Sequence, residues 1–94
     1  DVIVWPEGVN DSWWREDGHS LCRKDLKSVL EKQPTVLVIG TGMSGRMKVP
    51  PDLIPWLSDH CSEVHVEETP RACKIYNHAV EQGHHVVAAL HLTC

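Results

Sequence analysis

Gly40-Thr41-Gly42-Met43-Ser44-Gly45 has the spacing G-x-G-x-x-G and directly follows the apolar run Val36-Leu37-Val38-Ile39. After a strand, such a loop lets backbone N–H groups approach a pyrophosphate while the next helix adds the positive end of its dipole. Glu67 and Glu68 stand at about the right distance downstream for a ribose contact. The fingerprint needs its third glycine inside the first turn of that helix. Here Arg46-Met47-Lys48-Val49 intervenes and Pro50-Pro51 delays the helix, so its dipole is displaced from the glycines. A chain of 94 residues is also too short for both halves of a dinucleotide fold. The plain alternative is a glycine-rich turn chosen for backbone shape. A nucleophile elbow is ruled out, because Arg46 stands where G-x-S-x-G requires glycine.

His84-His85, His91 and Cys94 are the residues to consider for a metal. Along one strand His85 and His91 share a face but lie too far apart to converge, and Cys73 and His78 fall on different faces of a helix. No metal is expected, and Cys94 is expected as a free, accessible thiol. Cys22, Cys61, Cys73 and Cys94 show no CxxC spacing, so reduced thiols are expected over disulfides. Trp13-Trp14-Arg15 lies in a polar stretch, where adjacent Trp side chains face opposite sides if the backbone is extended. Either one Trp caps the sheet edge and the other is half exposed, or the segment forms a Trp-Arg ledge for a partner.

The elements that position these residues read as alternating strands and helices. Asp1 to Trp5 is a strand closed by Pro6 and the turn chemistry of Glu7-Gly8, and a loop follows through Gly18. Ser20 suits the cap of a helix whose apolar stripe is Leu26, Val29 and Leu30, ended by Gln33-Pro34. Val36 to Ile39 lacks period-2 alternation, which predicts a strand covered on both faces. A short helix with a delayed first turn runs through Leu53, Ile54, Trp56 and Leu57. Glu63 to Glu67 alternates like a half-covered strand near a sheet edge. Thr69-Pro70 reads as N-cap and first position of the next helix, with buried stripe Ala72, Ile75, Tyr76, Ala79, Val80 and C-cap Gly83. Val86 to Leu90 reads as an internal strand. This order predicts a single α/β domain over residues 1–94, three-layered, around a mostly parallel central sheet.

The composition, 41% hydrophobic and 23% charged, is that of an ordinary globular chain. With no Phe and four Trp, aliphatic residues must fill the core and some Trp are free for surfaces. A formal net charge of −4 argues against non-specific nucleic-acid binding. No apolar run approaches the ~20 residues of a membrane span, and no signal peptide is visible. The chain opens at Asp1 without an initiator Met, so residues are expected upstream.

Val4-Trp5-Pro6-x-Gly8, Trp14-Arg15-Glu16, Val36 to Ser44, Lys48-Val49-Pro50, Tyr76-Asn77 and His91-x-Thr93-Cys94 resemble the Mth938-like domain family. That family of undefined biochemistry includes an adipogenesis-associated member. Thr69-Pro70-x-Ala72-Cys73 resembles another member, a mitochondrial assembly factor for respiratory complex I. The resemblance implies a three-layer fold with a mixed, mostly parallel sheet, preceded in relatives by an N-terminal strand pair that this stretch lacks. It implies no established catalytic residues, and for the adipogenesis-associated member it implies a role in adipocyte differentiation through protein partners; no cofactor is expected. The expectation is a non-enzymatic cytoplasmic interaction domain, monomeric or weakly dimeric, binding neither nucleic acid nor membrane. The alternative is a small-ligand or nucleotide site on the Gly40–Gly45 loop. Loops at the carboxyl ends of parallel strands are where α/β sheets place ligands and partners. The candidate binding surface is therefore Trp13, Trp14, Arg15, Gly40, Gly42, Met43, Ser44, Arg46, Lys48 and Glu68.

Overall fold

Val36–Thr41 is buried at every position because it lies inside a five-stranded sheet with helices on both faces. The computed structural model describes residues 1–13, 15 and 20–92; Trp14 and Cys94, both singled out above, lie outside them. The strands are β1 (Val2–Trp5), β2 (Gly8–Asn10), β3 (Val36–Thr41), β4 (Glu63–Glu67) and β5 (Val86–His91). The helices are α1 (Lys27–Glu31), entered through a 3-10 turn at Arg23–Leu26, α2 (Leu53–Ser58) and α3 (Thr69–Glu81). The sheet order is β2-β1-β5-β3-β4, with β5, β3 and β4 parallel and β1 antiparallel to both of its neighbours. The α/β class and the mixed sheet agree with expectation. The β2 strand was not expected: Gly8–Asn10 has no apolar alternation, and pairing with β1 alone makes it a strand.

Alternation sorts the core into two layers. Ile3, Leu37, Ile39, Val87 and Ala89 meet Leu21, Leu26, Val29, Leu53 and Leu57 from the α1 and α2 side. Val36, Val38, Val86, Ala88 and Leu90 meet Ala72 and Ala79 of α3 on the other. Small residues let α3 sit close, and Gly40 sets the limit. A Cβ there would lie 2.8 Å from Thr69 Oγ1 and 3.2 Å from Thr69 Cα. Gly40 thus serves close approach, whereas Gly42 supplies the left-handed backbone, at φ 107°.

Helix ends show how local signals fare. Gly83 (φ 83°) ends α3 in a Schellman motif, with Gly83 N–H donating to Val80 O and His84 N–H to Ala79 O. Gln33 takes φ 52° after α1, and Pro34 prevents its continuation. The first turn of α2 is delayed as expected, and its leading bonds are Leu53 N–H to Pro50 O and Ile54 N–H to Pro51 O. Three expectations are corrected. Ser20 does not cap a helix; it bridges Lys48, and Asp25 instead accepts from the Cys22 N–H at 2.9 Å. Thr69 is the first residue of α3 and its hydroxyl is used elsewhere. Val80 is 36% exposed, since it is rotated about 100° from the buried Ala79.

Candidate functional site

Strands β3, β4 and β5 end along one edge of the sheet, with Thr41 in register with His91 and Gly40 with Glu67. The loop from Gly42 to Lys48 leaves this edge, and its near end is tied down by Thr69. Gly42 N–H donates to Thr69 Oγ1 at 2.9 Å, and Thr69 N–H returns a bond to Gly42 O at 3.0 Å. The same hydroxyl donates to His91 O at 2.6 Å. One side chain therefore joins the loop after β3, the start of α3 and the end of β5. Gly45 N–H donates to Gly42 O and Met47 N–H to Thr41 O, while Thr41 Oγ1 donates to Glu67 O.

This bonding decides what the glycines can do. The N–H groups of Gly42, Gly45 and Met47 are satisfied within the protein, so none of the three is offered to a phosphate. The next helix begins only at Leu53. Glu68 lies against Gly45, where an added Cβ would be 3.0 Å from Glu68 Cγ, so a carboxylate borders the place a phosphate would occupy.

Of the residues proposed as a surface, the loop residues Met43, Ser44, Arg46 and Lys48 are exposed, as is Glu68. Met43 is 55% exposed and Leu92, just past β5, is 45% exposed. Arg46 and Lys48 make no ion pair among the described residues. Gly40 and Gly42 are buried beneath this tip and shape it without facing solvent.

The Trp-Arg ledge is corrected. Trp13 is 7% exposed, packs in the core and donates from Nε1 to Asp25 O at 2.9 Å, which satisfies its one polar atom. Arg15 reaches the carboxyl edge by a route not foreseen. β1 runs antiparallel to β5 and ends at the opposite edge, but β2 turns the chain back. Once there, Arg15 points inward with a side chain only 6% exposed. It lies 2.6 Å from Asp1 Oδ2 through Nη2 and 2.9 Å from His91 Nδ1. His91 Nδ1 is also 3.0 Å from Asp1 Oδ2. Guanidinium can only donate and carboxylate can only accept, so a bare Nδ1 takes the bond from Arg15 and a protonated one gives its proton to Asp1. Asp1 Oδ1 accepts from Leu92 N–H at 3.1 Å. The cluster fastens the sheet edge.

The histidines and cysteines are dispersed. His85 Nε2 lies 2.8 Å from Lys32 O, His78 and His84 are exposed, and no group of three or more ligand types gathers among the described residues. Cys22, Cys61 and Cys73 are unpaired, and burial pushes the Cys61 thiol up, away from reactivity. Burial, with Glu7 adding to it, also raises the Tyr76 phenol. Leu92 is the residue of this edge that sequence reasoning missed; the start of the Thr69 helix is expected here, but with its hydroxyl as a cap and not as the tie between strands. A Thr before Pro carries the same signal whether it caps a helix or bridges strands, and Leu92 alternates with Leu90 as any strand residue would.

A family model described as a protein of unknown function (DUF498/DUF598) matches residues 1–91. Among solved structures, the chain is similar to the crystal structure of a conserved hypothetical protein from Pyrococcus horikoshii OT3. Identity is 24% and the TM-score 0.73, covering 99% of this chain and 82% of that one. It is also similar to a Xanthomonas campestris protein solved by NMR, at 22% identity and TM-score 0.71, covering 95% of this chain and 67% of that one. Those identities carry the fold alone, whereas the family match spans nearly every described residue. With its mixed sheet and helices on both faces, the chain belongs to the DUF498/DUF598 family of proteins of unknown function, the Mth938-like domains.

Proposed function

We propose that this chain is a non-enzymatic, cytosolic protein-interaction domain whose partner docks on the tip formed by Met43, Ser44, Arg46, Lys48 and Leu92. The carrying observation is the composition of that tip: two exposed apolar side chains beside two cations with no ion pair among the described residues. Met suits such a place because its unbranched thioether adapts to a partner's contour. The partner surface that fits is an apolar hollow flanked by carboxylates. The likeness to the adipogenesis-associated member extends the proposal to a regulatory role in adipocyte differentiation. A nucleotide or other phosphate ligand on Gly40–Gly45 is the weaker reading, since the Gly42 and Gly45 amides are used internally and Glu68 borders the loop.

The test is site-specific photo-crosslinking in cytosol, with the reactive side chain at Met43 and, as control, at the exposed Ser58 of α2. A discrete crosslinked species from position 43 only, lost in Arg46→Glu/Lys48→Glu with the melting temperature unchanged, is expected. Identical patterns from both positions would refute the docking surface. A saturable melting shift with NAD(H), NADP(H) or FAD, ~2.7 kcal/mol at 100 times Kd, would transfer the function to the glycine loop.

A further inference from the structure

The sheet ends in β2 on one side and β4 on the other, and β4 has no second strand neighbour among the described residues. Glu63 N–H donates to Thr35 O, so Glu63, His65 and Glu67 turn their backbone groups toward β3. The alternation leaves the N–H and C=O groups of Val64 and Val66 aimed at the open side. An edge of this kind is a template for another strand.

The side chains favour a particular strand. Glu63 and His65 face a groove of about 500 Å³ under the flank of α3, whose Arg71, Lys74 and His78 complete the walls over Ile75. Both signs of charge on one patch make it complementary to its own copy across a two-fold axis. We propose that β4 is a homodimer interface, pairing antiparallel with β4 of a second copy so that Val64 lies opposite Val64 and Glu63 opposite His65. Val64 then forms the hydrogen-bonded pair, and Glu63 with His65 a non-hydrogen-bonded pair, where side chains stand closest. Within one copy His65 Nε2 is 3.1 Å from Glu63 Oε2, so two copies close a ring of alternating carboxylates and imidazoles.

The other registers fare worse. Centring on His65 sets Glu63 against Glu67 twice, a like-charge arrangement. Centring on Val66 sets His65 against Glu67, which Arg71 already holds at 3.4 Å, and drives Glu63 toward Thr69 at the start of α3.

Sedimentation equilibrium of the wild type, Glu63→Lys, His65→Glu and the double swap tests this. The wild type is expected to dimerise. His65→Glu sets carboxylates opposite one another, and Glu63→Lys replaces the acceptor facing His65 with a group that can only donate, so each weakens the dimer about tenfold or more, and the double swap recovers to within about threefold. Amide exchange gives a second readout that needs no variant, because the Val64 N–H, which bonds across the two-fold, becomes protected as concentration rises. A monomer at every concentration up to about 1 mM, leaving the edge for a foreign strand, would overturn the proposal. So would single variants that dimerise like the wild type, a double swap without recovery, or Val64 exchange indifferent to concentration.

Discussion

Replacing Thr69 with Val keeps the volume of the side chain and deletes its hydroxyl, which isolates the three-way tie at the sheet edge. Two partners lose their bonds: the Gly42 N–H, whose residue is buried, and the His91 carbonyl. An unsatisfied buried group costs about 1–3 kcal/mol. The new methyl also stands where the oxygen was 2.6 Å from His91 O, closer than carbon tolerates, so the start of α3 must shift. With water recovering part of the loss at this edge, Thr69→Val should cost about 2–4 kcal/mol in all. At about 4–8 °C per kcal/mol for a domain of this size, melting falls by roughly 10–25 °C. Thr69→Ser keeps the hydroxyl and deletes one methyl, for about 1 kcal/mol. Urea unfolding followed by tryptophan fluorescence measures both, and exchange of the Gly42 amide should accelerate in the Val variant alone. A Val variant within about 0.5 kcal/mol of wild type would refute the tie, as would equal costs for Val and Ser.

Three further outcomes follow from other parts of the structure. Gly40→Ala sets a Cβ against Thr69 Cα and the tip of Leu90, so it should cost about 1–3 kcal/mol by denaturant unfolding; a neutral result would mean α3 can retreat freely. Arg15→Met leaves Asp1 and His91 without their guanidinium and should cost about 3 kcal/mol, against less than about 0.5 for Arg46→Met at the exposed tip. Similar melting losses for the two would show that the buried cluster holds nothing. Cys61 and Tyr76 ionise later in the folded chain than their ordinary values of 9.0 and 10.0. The unfolded chain therefore loses these protons first, and stability present below about pH 9 should drain away as pH rises beyond it. Cys61→Ala should flatten the onset of that loss, and an unchanged alkaline profile would remove Cys61 from it.

Periodicity carried most of what the sequence disclosed. β3 and β5 announce themselves as unbroken apolar runs, β4 by its alternation, and α3 by its stripe and Gly83, because each pattern reports burial directly. β2 is made by its neighbour, so three residues of Gly-Val-Asn carry no such pattern. Trp13 and Arg15 sit among polar residues that suggested exposure, yet a hydrogen bond to Asp25 O and an ion pair with Asp1 draw both inward. Those partners lie far away in the chain or on another element, where local composition cannot reach. The exposed part of the candidate surface was legible for a different reason: Met43, Ser44, Arg46 and Lys48 follow a strand whose end had to be a loop.

The strand order also bears on how the molecule assembles. β5 is the last of the five described strands to be made, yet it sits between β1 and β3, and within the described sheet it alone pairs with both the β1–β2 hairpin and the β3–β4 pair. Until residues 86–91 leave the ribosome, the earlier segments hold two unpaired inner edges rich in Val, Ile and Leu. Such edges invite pairing with other chains, and the sheet's central contacts wait on closure over the longest sequence separations in the fold. Interrupting synthesis just before Val86 should therefore yield two halves that aggregate rather than a smaller version of the domain.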